Sequence, residues 1–170
     1  MIIDIPLEES LEIFQLTDSF LDISAPLSLS IYSFTASALA GGITLVLAMP
    51  NTSPSITDSS SLALVKKSAS ASARCDYGLY VGANDTNAED LRRIVEEEGE
   101  GGKEGEEMKH NGVAALKMYL NDTFSTLKLP DMESWMSHFR NWPRELPIVC
   151  HAEGQTMGAV ILLSQVNENL

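Results

Sequence analysis

Four places along this chain carry residues suited to chemistry: Asn51, Lys117, the polar loop from Asn121 to Leu127, and His151. Lys117 interrupts an apolar run, Ala114-Ala115-Leu116-Lys117-Met118-Tyr119-Leu120. An ammonium is costly to bury unless it is paired or loses its proton. A desolvated neutral amine is a nucleophile, able to form a Schiff base or to take up carbon dioxide as a carbamate. The plainer reading is a strand-end lysine whose stem carries the charge out to solvent. His151 follows Pro147-Ile148-Val149-Cys150 and precedes Ala152-Glu153. Imidazole at a strand end suits a metal ligand or a proton carrier, although a single histidine more often only hydrogen-bonds locally. Cys150 should point away from His151, because strand neighbours alternate faces, and reads as packing. Asn51 lies in Met49-Pro50-Asn51-Thr52-Ser53-Pro54, where an amide can hold a carboxylate or carbonyl and where turn chemistry explains it equally well. Asp122-Thr123-Phe124-Ser125 has the composition of a lid, and also that of an ordinary connection. His110 and His138 read as structural or solvated.

The elements that must position these residues alternate regularly after residue 33. Phe34 to Ala40 reads as a helix end stopped by Gly41-Gly42, followed by a buried strand at 43–48. A helix from Ser59 to Ala73 has Thr57 or Asp58 available as its cap. Next come a strand at 76–81, a helix capped by Asn87 and running through Val95, and a strand at 113–118. Pro130 opens a helix to about Asn141, since a first-turn proline loses no helical hydrogen bond. Pro147 to Cys150 is the last strand and Thr156 to Val166 the last helix. Strands beginning near 43, 76, 113 and 147 are 33, 37 and 34 residues apart. That interval is the mark of βαβ units and a parallel sheet. Either a (β/α)₈ barrel or a doubly wound sheet fits, and a full barrel needs roughly 250 residues. Residues 1–33 stand outside the rhythm. Leu27, Leu29 and Ile31 alternate with polar neighbours, which predicts a half-buried strand, with a short helix before it.

Composition narrows the function classes. The net charge of −13 argues against nucleic acid, which demands basic patches. Seven glutamates, one lysine and four glycines fill positions 96–107, and such a stretch reads as a solvated loop. No apolar run reaches the ~18 residues of a membrane span, and the first residues lack the basic start of a secretory signal. Two cysteines suggest no disulfide framework, which fits reduced thiols and a cytoplasmic location.

Taken together, four segments resemble dihydroorotase. They are Ala38-Leu39-Ala40-Gly41-Gly42-Ile43-Thr44, Ala48-Met49-Pro50-Asn51-Thr52, Leu116 through Phe124, and Leu146-Pro147-Ile148-Val149-Cys150-His151-Ala152-Glu153. The likeness covers residues 34–170 in order and is greatest to the dihydroorotase domain of animal multifunctional pyrimidine-synthesis proteins. It implies a partial (β/α)₈ barrel of the amidohydrolase type with about four βα units. The implied reaction is the zinc-dependent, reversible hydrolysis of the cyclic amide of dihydroorotate, which in reverse cyclises N-carbamoyl-L-aspartate. By this resemblance Lys117 is the carboxylated lysine bridging two zinc ions, His151 a zinc ligand, and Asn51 a holder of the substrate carboxylate. Thr123 and Phe124 belong to the loop that closes over substrate. A homo-oligomer, or part of a multifunctional polypeptide, is the implied setting.

The departures are specific. The family's His-x-His pair and the arginine two residues later belong on the first barrel strand, yet residues 1–33 hold no histidine and no arginine. The later histidine ligand and the catalytic aspartate would lie past Leu170. The division expected is therefore a divergent segment at 1–33 and a partial barrel at 34–170, with an acidic insertion at 96–110. Such a chain is expected to be inactive alone. The rival reading is a non-catalytic scaffold or oligomerisation module.

Overall fold

A computed structural model describes residues 27–96, 109–120 and 126–151. The elements run α1 (Leu27–Ala40), β1 (Leu45–Ala48), α2 (Ser59–Ser72), β2 (Asp76–Gly82) and α3 (Ala88–Glu96). A 3₁₀ turn (Lys109–Gly112), β3 (Val113–Tyr119), α4 (Met132–Asn141) and β4 (Ile148–His151) follow. All pairs are parallel, and the strand order is β1-β2-β3-β4. A doubly wound sheet reverses its order part-way across and places helices on both faces. Here the order never reverses, and the helices share one face. The architecture is a curled, partial (β/α) barrel.

One cluster holds the helix-side core. Val46, Leu79, Val81, Leu116 and Met118 from the strands pack with Leu62, Val65 and Ala69 of α2, Leu91 and Ile94 of α3, and Trp135 of α4. Helix α1 adds Ala38, with Leu27, Ile31 and Phe34 packed against it. These positions correct the strand expected over 27–32. Leu27, Ile31, Phe34 and Ala38 recur at helical spacing, whereas Leu29 and Tyr32 are exposed. The local alternation happened to sample both faces of one helix, which continues across residue 33. It ends where glycine was expected to end it. Ile43 N–H bonds to Ala38 O at 2.9 Å and Gly42 N–H to Leu39 O at 3.0 Å, with Gly42 at φ 87°. That left-handed φ favours glycine.

Two caps differ from expectation. Asn87 precedes α3 as expected, but its side-chain oxygen accepts from Asn84 N–H at 2.8 Å. Its Nδ2 donates to Thr57 O and Gly82 O, both at 3.0 Å. A buried amide with those partners ties three segments together and is not available to the helix. Pro130 does not open α4. Asp131 does, its carboxylate accepting from Ser134 N–H at 2.9 Å, so the helix starts two residues later.

The turn into β3 is pinned by Asn111, which adopts φ 53°. Lys66 Nζ donates to its Oδ1 at 2.8 Å, and its own Nδ2 donates to Ile94 O at 3.1 Å. The acidic stretch that precedes it lies outside the described residues from 97 to 108, as does the last helix expected, Thr156 to Val166. Among the described residues no helix is long and apolar enough to cross a membrane.

Candidate active site at the strand ends

Parallel pairing brings every strand's C-terminal end to one edge, where Ala48, Gly82, Tyr119 and His151 lie. Side chains alternate, so each strand sends half of them away from the helices. Leu47, Met49, Tyr80 and Ala115 form a small cluster on that inner face, with Val149 against it. The register extends the same face towards the edge. Lys117 lies between Gly82 on β2 and Val149 on β4, and Tyr119 pairs with His151.

Lys117 is 3 % exposed. Its Nζ stands 5.0 Å from the centroid of the Tyr119 ring, within cation–π range. Tyr119 in turn stacks on His151, ring centroids 5.9 Å apart and planes at 27°. His151 itself is exposed. Two backbone bonds carry the pairing past the strands: Ala83 N–H to Lys117 O at 2.9 Å and Leu120 N–H to His151 O at 3.0 Å. Cys150 points to the helix side and packs there, as alternation requires. Burial pushes its thiol pKa up, and the charge of Lys117 partly opposes that.

Asn51 leaves the end of β1, half-buried. Its connection folds back on itself. Ile56 is wholly buried, donates its N–H to Pro50 O at 2.9 Å, and accepts from Gly82 N–H at 2.8 Å. Thr52 Oγ1 donates to Pro54 O at 2.6 Å. The structure thus brings Lys117 and His151 together on one face through Tyr119, and sets Asn51 at the same edge of the sheet. Thr123 and Phe124 lie outside the described residues. Tyr119 was missed as a site residue, although its place two residues after Lys117 puts it on the same face. Gly82 carried no sequence signal beyond following a strand.

No family profile matches the chain. It is 52% identical over 134 residues to multifunctional protein CAD of Squalus acanthias, and 41% identical over 132 residues to multifunctional protein pyr1-3 of Dictyostelium discoideum. Those alignments take in 79% and 77% of this chain but only 5% of each relative. A solved structure with the same fold is the inactive dihydroorotase-like domain of the Chaetomium thermophilum CAD-like multifunctional protein. It matches at a TM-score of 0.66 and 20% identity, over 86% of this chain and 39% of that one. This chain carries part of a dihydroorotase-like domain.

Whether the dihydroorotase-like chain can hold the family's metals depends on its donors. It has three histidines, and all are among the described residues. His110 sits in the turn that enters β3, at the far end of the sheet. His138 is buried in α4 with Nε2 2.8 Å from Asn84 O. That leaves His151. Cys75 lies at the far end, just before β2, and Cys150 faces the helices. A zinc ion takes three or four protein ligands. Among the described residues no group of three His, Cys, Asp or Glu is arranged to hold a metal. Lys117 and His151 alone do not fit a two-zinc centre.

Proposed function

We propose that this chain supplies the Lys117–His151 part of a dihydroorotase site and that the 170-residue chain is catalytically silent by itself. The observation behind this reading is the shared inner face of Lys117, Tyr119 and His151, reached by no other histidine of the chain. The complete reaction in this reading is the zinc-dependent, reversible ring opening of dihydroorotate to N-carbamoyl-L-aspartate. In a complete site Lys117 would serve as a carbamate and His151 as a zinc ligand, while Asn51 would hold the substrate carboxylate. Thr123 and Phe124 serve the closing loop. The setting in this reading is a cytoplasmic homo-oligomer, or part of a multifunctional polypeptide, the latter in keeping with the relatives' names.

The test is direct. Purified with zinc and bicarbonate, the chain should bind fewer than two zinc ions and show no cyclisation of N-carbamoyl-L-aspartate. Two bound zinc ions together with turnover would overturn the proposal.

A second reading, a non-catalytic scaffold, has one specific support: the similar Chaetomium domain is described as inactive. Sequencing the transcript on both sides separates the two. A His-x-His-x-Arg segment upstream favours the enzyme, and translation verified to start at Met1 favours the scaffold.

A further inference from the structure

Gly82 sits on the inner face directly beside Lys117 in the register. A Cβ built on it would lie 2.4 Å from Leu127 Cδ2 and 3.1 and 3.2 Å from Pro50 Cβ and Cγ. Leu127 and Pro50 are both fully buried. The side chain that Gly82 lacks is therefore a socket, and two separate connections fill it. Pro50 comes from the β1–α2 connection and is the neighbour of Asn51. Leu127 comes from the β3–α4 connection, where the adjoining Lys128 bridges back to Tyr119. Beside the socket, Thr126 faces Thr52 to Ser55 across an open cleft of about 680 Å³.

We infer that Gly82, Pro50 and Leu127 act as a lock coupling the Asn51 arm to the second half of the β3–α4 connection, which makes Leu127 a positioning residue for the site. The value of this coupling to substrate rests on the dihydroorotase reading, but the coupling itself does not. Well-packed contacts between segments are felt on both sides when one is cut, because close-packed interiors relax only partially. The arm is held by two bonds that can be read individually, Ile56 N–H to Pro50 O and Gly82 N–H to Ile56 O.

The experiment is amide hydrogen exchange on the 170-residue chain, which needs no activity. Failure of the dihydroorotase reading therefore leaves its result intact. Leu127→Ala should speed exchange at Ile56 and Gly82 by roughly tenfold, while Leu91 in α3 and Trp135 in α4 change by less than about twofold. The milder Leu127→Met should leave all four near wild type. Gly82→Ala should act like Leu127→Ala, because the added methyl evicts the leucine. The double variant should be less perturbed than the product of the two single effects, since the methyl then occupies vacated space. Equal acceleration at all four amides, an unchanged Ile56, or strictly multiplicative effects in the double variant would each overturn the lock. Should Gly82→Ala fail to fold, the contrast between Leu127→Ala and Leu127→Met decides by itself.

Discussion

On the helix side of the sheet, Val46, Leu79, Val81, Leu116 and Met118 meet apolar residues from all four described helices. On the inner side, Leu47, Met49, Tyr80 and Ala115 meet chiefly one another. The same four strands serve both faces, so the contrast comes from what each face is given to pack against. Helix partners arrive from the βα units themselves, one or two connections away in sequence. Inner-face partners in a barrel come from strands on the opposite wall. The layer that makes the fold is therefore local, while the layer that makes the site depends on partners distant in sequence.

The sharpest way to break this comparison is to cut one leucine on each side. Leu116 is fully buried in the helix-side core, and Leu116→Ala should cost about 2–5 kcal/mol, the range for a leucine removed from a packed interior. Leu47→Ala on the inner face should cost no more than about half of that, because Leu47 packs in a cluster of only four buried residues and fewer contacts are lost with it. Urea denaturation of both variants measures the difference. Equal losses would mean that the inner face is as well packed as the outer one.

The same contrast explains which features were legible in the sequence. Strands β1 and β3 were readable because residues buried on both faces give continuous apolar runs, as in Leu45 to Ala48 and Val113 to Leu116. Lys117 stood out because it broke such a run, and His151 because it ended one. The partners of both were not legible. Tyr119 looks like any apolar strand residue until the register places its ring between the lysine and the histidine. Gly82 and Leu127 are 45 positions apart in sequence and meet only through the packing of two connections. Helix α1 was misread over 27–32 for the reverse reason. A six-residue window cannot distinguish a period of 2 from one of 3.6 when only three apolar positions fall inside it.

A second test uses acid, and it acts on the helix side. His138 joins α4 to the β2–α3 connection through Asn84 O, and burial holds its pKa below the ordinary histidine value despite the opposing effect of that hydrogen bond. A depressed imidazole pKa means that the unfolded chain binds the proton first. Stability should therefore fall as pH drops below about 6.5, and stop falling once the folded-state pKa is passed. His138→Gln should flatten this part of the profile while lowering stability at pH 7. An unchanged pH profile in that variant would remove His138 as the acid-sensitive contact of the helix layer.

The smallest expected effect lies where the two layers meet, at the start of α2, reached directly from the Asn51 arm. Asp58 caps this helix. Its Oδ1 accepts from Ser61 N–H at 2.7 Å and from Ser60 Oγ at 2.6 Å, while Ser61 Oγ accepts from the N–H groups of Thr57 and Asp58. The Ser60 hydroxyl and then the Ser61 amide hold the Asp58 carboxyl below its usual pKa. The cap is solvent-exposed, so its worth is that of an ordinary N-cap, about 1 kcal/mol for Asp58→Ala. The sign follows from the lowered pKa. The ionic part of the contribution is fully present above the unfolded value near 3.8 and is lost as pH falls through the folded value. Asp58→Asn keeps the acceptor without the charge, so it should cost only a few tenths of a kcal/mol and show no such acid dependence. Because every cap bond stays within Thr57 to Ser61, the loss should add to that of Leu127→Ala within about 0.5 kcal/mol. Denaturation of the two single variants and the double at pH 7 measures this. A larger interaction would mean that the helix start and the Gly82 socket move as one unit, and that the helix layer and the inner face are less separable than their packing suggests.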